Sequence, residues 1–351
     1  MPTTRRDFIR RSLVLGGTLL IPPSSLWAMP GQRKDLLPAY GKLEQKGKLA
    51  ERVEQAFEIL RACELCPRKC GVNRLEGERG YCRAPRKVTV YSAHPHFGEE
   101  VSLVGSGGSG TIFFSHCNLR CVFCQNWSIS HRGLGDPIDD ERLADMMLRL
   151  QGIGCHNINL VTPTHVMPHI INATRIAFGR GLRLPLVYNT SGYERVEILK
   201  ILDGIVDIYL PDLKYMDGKQ SARYSAGASD YPEAARKAIV EMNRQVGEHA
   251  TDRGGIAARG LMIRHLVMPN RVAGTREFTR WVAKSLSPTT YVNIMAQYHV
   301  AYEAADHGEI ARAITADEFL EAMEWAEEAG LKNLDPRSLT NRDLFRRYGK
   351  G

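Results

Sequence analysis

Cys117, Cys121 and Cys124 fall within the stretch SHCNLRCVFCQNW, directly after the apolar run TIFF. The spacing C-x-x-x-C-x-x-C places three thiols on one tight loop. A four-iron cluster is closed by four cysteines. Three leave one iron open, and an open metal position is what catalysis requires. A surface disulfide or three ordinary buried cysteines would be the plainer explanation. Cysteines this dense, immediately after a strand-like run, favour the cluster.

A second set precedes it in CELCPRKCGVNRLEGERGYC, where Cys63, Cys66, Cys70 and Cys82 form C-x-x-C-x-x-x-C and a fourth cysteine beyond a charged, Gly-containing turn. Four thiolates make a closed set, suited to zinc or to a fully ligated iron–sulfur cluster. Paired disulfides are the alternative, although C-x-x-C pairs more often mark metal or redox sites. With no position left open, an electron relay or a structural clip is expected here rather than substrate chemistry. Cys155 stands apart and reads as a small buried residue.

Positioning these loops requires a scaffold, and the chain alternates strand-like with helix-like segments from Gly110 onward. Short apolar runs at 111–115, 157–161, 185–189, 206–210, 261–266 and 291–295 read as buried parallel strands. Helical patterns lie between them. One is expected to open at Asp136 as N-cap and Pro137 in the first turn, others near Pro168, Tyr193, Pro232 and Thr275. Upstream, ERVEQAFEILRA reads as an amphipathic helix with Val53, Phe57 and Leu60 on one side. The alternation implies an α/β fold with a parallel sheet, whose chemistry gathers at the C-terminal strand ends.

The net charge of +8 is half supplied by Arg5, Arg6, Arg10 and Arg11. No later basic run is interleaved with aromatics, so no nucleic-acid partner is expected. TTRRDFIRRS followed by LVLGGTLLI resembles a twin-arginine export signal. Its apolar run, 13–21, is too short for the roughly 20 residues of a membrane span, so no stable span is expected. Export to the periplasm or membrane association is one expectation, and a cytoplasmic location is the alternative. Residues 1–28 are thus set apart as a signal segment. They precede an extension at 29–105 holding the four-cysteine set, a catalytic region at 106–330 and a tail at 331–351.

CNLRCVFC resembles the signature of the radical S-adenosylmethionine superfamily. The resemblance implies a 4Fe–4S cluster on Cys117, Cys121 and Cys124, with S-adenosylmethionine on the open iron. It also implies a partial six-stranded parallel (β/α) barrel carrying a small N-terminal cysteine-rich metal-binding extension. Phe123 sits where the family has an aromatic against the adenine. After the second strand VTPTH lacks the family's glutamate, which directs the contact to backbone carbonyls or to Thr162, Thr164 or His165. YNTSGY is similar to an Asp-Thr-Asn-Gly segment of glycyl-radical activating enzymes, with Asn189 replacing the aspartate and Thr190 following it. PDLKY matches their Asp-x-Lys element at Asp212 and Lys214.

Together with HFGEE, HNINLVTPTH, GIVDIYLPDLKY and RHLVMPN, these motifs resemble the pyruvate formate-lyase activating enzyme-related proteins over roughly residues 55–330. The implied function is an oxidoreductase that cleaves S-adenosylmethionine to a 5′-deoxyadenosyl radical for hydrogen abstraction, glycyl-radical activation of a protein being its finer form. A low-potential electron donor and a protein substrate are the expected partners. An electron-transfer or metal-maturation protein on the same fold is the alternative.

Overall fold

The structure, a computed structural model, describes residues 37–348; the signal-like segment 1–28 lies outside them. In chain order come α1 (Ala39–Gln45), α2 (Leu49–Glu58), β1 (Val88–His96), β2 (Ser109–Phe114), β3 (Asp136–Ile138), α3 (Asp140–Gly152), β4 (Ile158–Val161), α4 (Met167–Gly179), β5 (Leu186–Thr190), α5 (Val196–Ile201) and β6 (Ile208–Pro211). The second half adds α6 (Gly218–Tyr224), α7 (Tyr231–Val246), β7 (Ala250–Thr251), β8 (Ala257–Leu266), α8 (Thr275–Ser285), β9 (Tyr291–Met295), α9 (Ala316–Glu328) and α10 (Pro336–Tyr348).

The strands form one sheet in the order β3-β1-β2-β4-β5-β6-β8-β7, with β9 also paired to β8. β2, β4, β5, β6, β8 and β9 run parallel. These are the six strands expected from the apolar runs. β1 and β3 add antiparallel pairs beside β2. The sheet is not closed, because β1 takes the outer edge of β2.

Both faces are buried, which explains why the parallel strands read as continuous apolar runs. Ile112, Leu160, Tyr188, Tyr209 and Leu261 are register partners across five strands, and all belong to the main core. Val187 and Ile208 face the other way, into a smaller cluster with Leu103, Met262 and Tyr291. Two expectations need correction. Asp136 and Pro137 lie in β3, paired with β1, and do not open a helix. The cap of α3 is Asp139, whose side chain accepts from Arg142 N at 2.9 Å. Likewise, 331–348 is not a plain tail: Ser338 is buried at the start of α10 and accepts from Ile294 N at 3.0 Å, tying the helix to β9.

Buried Asp207 ties the N-terminal helices to the sheet. Its carboxylate accepts from Ala39 N at 2.8 Å and from Leu186 N at 3.0 Å. Burial pushes its pKa up to about 6, against the pull of those two donors. Asp207→Ala would leave both N–H groups without this acceptor. We expect a loss of about 2 kcal/mol in urea unfolding; an unchanged midpoint would show that the carboxylate is not a tie.

Candidate active site

The loop after β2 is shaped by two residues in the left-handed region, His116 at φ 75° and Arg120 at φ 55°. Between them, Asn118 is fully buried and donates from its side chain to Tyr193 O at 2.8 Å. Val122 N donates to Tyr224 O at 2.9 Å. The loop is therefore fixed at both ends and at its centre.

Hydrogen-bond donors surround its sulfurs. Leu119 N lies 3.4 Å from Cys117 Sγ, Ser225 Oγ lies 3.1 Å from Cys121 Sγ, and Ser130 Oγ lies 3.1 Å from Cys124 Sγ. Burial pushes the Cys121 thiol up to about 12, while the charge of Lys214 pulls it down and Cys117 and Cys124 push it up further. The three thiols thus sense one another and one shared cation. Donors aimed at sulfur and a nearby ammonium are what thiolate ligands need, so this set fits a cluster. Phe123 is buried between Tyr215 and Tyr298, with ring centroids 6.3 and 5.9 Å away.

The strand ends bring several expected residues beside this loop. Lys214 Nζ donates to Asp212 Oδ2 at 2.5 Å. Burial works against the lysine charge, but Asp212, Cys121 and Cys124 hold its pKa above the ordinary range. Asn189 ends the next strand and lies 3.5 Å from an Arg264 nitrogen. His165 is buried against the loop, with Nε2 2.7 Å from Ser115 O, while its own carbonyl accepts from Arg74 at 2.6 Å. Burial lowers the His165 pKa to about 3, so it is neutral at ordinary pH. Thr162 adopts φ 60°, and its N–H donates to Asn189 O at 2.9 Å.

Thr164 and Thr190 do meet, but on a residue that sequence reasoning missed. Both hydroxyls donate to Glu194 Oε1 at 2.5 Å. Glu194 Oε2 is buried with no hydrogen-bond partner. Arg264 also takes a larger part than its motif indicated. Its guanidinium forks onto Glu100 at 2.6 Å on both sides and pairs with Glu99, while its backbone forms a parallel β-bridge with Asp212. The HFGEE motif thus supplies the counter-charge at the strand ends. His265 is a satisfied core histidine, bonded to Leu213 O and Thr275 and stacked on Phe278. A cavity of about 660 Å³ lined by Asn270, Arg271, Glu318 and Glu321 contains none of the expected site residues.

The Glu194 pKa is pushed up to about 7 by burial, against the pull of the two hydroxyls. An unfolded glutamate titrates near about 4.3, so the folded chain binds the extra proton between these values. That stability is complete below about pH 4 and is lost as pH rises through about 7. Glu194→Gln keeps an acceptor for both threonines and removes the titration. The variant should gain on the parent above pH 7 by about 1–3 kcal/mol. Urea midpoints from pH 5 to 8 check this, and parallel pH profiles would refute it.

Residues 111–282 match the family described as the Radical SAM superfamily. The protein named Uncharacterized protein MJ0674, from Methanocaldococcus jannaschii, is 33% identical over 290 residues, covering 80% of this chain and 78% of its own length. Uncharacterized protein MJ0808 from the same organism is 25% identical over 169 residues, 43% of this chain and 49% of its own. A solved radical SAM methyltransferase from Sphaerobacter thermophilus shares 13% identity at a TM-score of 0.42, covering 85% of this chain and 92% of its own. Methylornithine synthase (PylB) gives 14% and 0.36, covering 82% and 81%. The family match spans β2 to α8, the region containing the thiol loop, and the chain belongs to the radical SAM superfamily, whose members use a 4Fe–4S cluster and S-adenosylmethionine.

Proposed function

We propose that this chain is an enzyme that cleaves S-adenosylmethionine reductively, with its cluster on Cys117, Cys121 and Cys124. When bound, the cluster supplies the single electron that breaks the sulfonium bond, giving methionine and a 5′-deoxyadenosyl radical for hydrogen abstraction. The observation that carries the reading is a loop of three thiols within the electrostatic reach of the half-buried Lys214 at the strand ends. Lys214 lowers the cost of deprotonating those thiols, and Asp212 fixes the ammonium in place. Phe123, wedged between two tyrosines, offers an apolar wall that keeps water from the loop. Asn189, Arg264 and the Glu99–Glu100 pair give the same rim charged and amide groups able to hold the polar end of a ligand.

We read the six parallel strands as a partial barrel around that rim. Asp212-x-Lys214 supports a finer form, in which hydrogen is taken from a glycine of a partner protein and a low-potential donor supplies the electron. Anaerobically reconstituted protein with a strong reductant should release 5′-deoxyadenosine from S-adenosylmethionine. Cys121→Ala should lose this product by at least a hundredfold, because its open-iron geometry depends on all three thiols. A fully loaded parent that forms no 5′-deoxyadenosine would sink the reading and favour simple electron transfer.

A further inference from the structure

The four-cysteine segment lies on the same rim as the catalytic loop. Cys63 N donates to Val72 O and Gly71 N donates to Cys63 O, both at 3.0 Å, so the chain folds back on itself across Cys66 and Cys70. Lys69 and Arg83 take positive φ values of 40° and 61°, turning the backbone next to Cys70 and Cys82. Cys70 Sγ lies 3.8 Å from Cys63 O, and a Cβ at Gly80, two residues before Cys82, would meet Cys70 Sγ, so the segment closes on itself around its thiols.

Two arginines join the segment to the catalytic loop. Arg68 donates to Asn118 O at 3.2 Å, Ser225 O at 3.1 Å and Ala226 O at 3.0 Å. Buried Arg74 donates to His165 O at 2.6 Å and Pro85 O at 3.2 Å. These bonds all go to carbonyls, which leaves the cationic charge unneutralised. Such a cationic pocket suits an anionic, thiolate-rich centre.

The placement of the donors chooses between metals. Zinc bonds of about 2.3 Å would draw four sulfurs to within about 4 Å of one another. Among the described residues no three cysteine, histidine, aspartate or glutamate side chains converge as a single ion needs. A cubane places its own irons and sulfides between the thiolates and spreads them further apart.

We infer that Cys63, Cys66, Cys70 and Cys82 hold a second, fully thiolate-ligated iron–sulfur cluster seated beside the catalytic loop. It relies on the function proposed above only for its neighbour, since its own ligands are separate.

Gly80 provides a specific probe. A Cβ there would overlap Cys70 Sγ. A free thiol rotates away at little cost, whereas a ligated one cannot. Gly80→Ala should therefore fold normally without metal but lose the second cluster. After anaerobic reconstitution, the parent should bind about eight irons with matching sulfide, and Gly80→Ala about four. A variant with alanine at Cys117, Cys121 and Cys124 should also keep about four, with a reducible cluster signal that S-adenosylmethionine does not perturb. Zinc in place of iron in this triple variant, or full iron loading in Gly80→Ala, would overturn the inference. An S-adenosylmethionine-sensitive signal lost only in the triple variant reports on the catalytic loop, so the two readings fail separately.

Discussion

Lys214 carries a charge in a place that resists charge, and the arrangement of the rim follows from that constraint. Desolvating an ammonium costs several kcal/mol unless a partner offsets it. Asp212 lies two residues back on the same strand end, 2.5 Å away. The backbone holding the pair is itself fixed, because Leu213 N donates to Arg264 O at 2.9 Å on the neighbouring strand. Arg264 would be a further unbalanced cation there, and Glu99 and Glu100 answer it from the segment after β1. As thiolates, Cys121 and Cys124 would complete the chain of compensation by adding negative charge beside Lys214. Moving Asp212 leaves Lys214 without its carboxylate, and moving Arg264 leaves Glu99 and Glu100 without their shared cation.

The parallel register makes this compensation possible. Phe113, Val161, Asn189 and Leu210 are level across four strands. The next residues therefore emerge at one height from loops far apart in sequence. Ser115 meets His165, Thr164 and Thr190 meet Glu194, and Asp212 meets Arg264. Each contact is cheap once the core has set the register. The apolar row from Ile112 to Leu261 thus does the positioning, and the polar residues need only short loops.

Much of this was legible in the sequence, for a physical reason. Strands buried on both faces must be continuous apolar runs, and the runs at 111–115 and 291–295 stand out against their polar flanks. The antiparallel β1 did not, because VTVYSAHPH mixes partly exposed positions with buried ones. Asp136-Pro137 imitates a helix start, yet pairing with β1 outweighs that local preference. The thiols declared themselves through type and spacing. Glu194 did not, since its partners Thr164 and Thr190 come from two different strand ends. Arg74 was equally invisible: an arginine in a charged turn reads as solvent-facing, whereas here it is 1% exposed because three-dimensional packing supplies the carbonyls.

The choice of carbonyls over carboxylates has an electrostatic consequence. At the strand ends Arg264 is neutralised by two glutamates, and the rim there is close to balanced. Around the cysteines the arginines are held by backbone oxygens, which fix direction without cancelling charge. Burial most of all, with Cys82, Cys63 and Glu194 adding to it, pushes the Cys66 thiol up to about 12. At Cys63 and Cys82 the charge of Arg74 opposes the push of burial. Burial first, and the neighbouring arginines after it, lower the His116 pKa to about 4, so the imidazole beside Cys117 does not add a cation of its own. The fold therefore separates two electrostatic regimes on one rim, balanced charge at the strand ends and net positive charge around the thiols, and the second is what a cluster of anionic sulfurs requires.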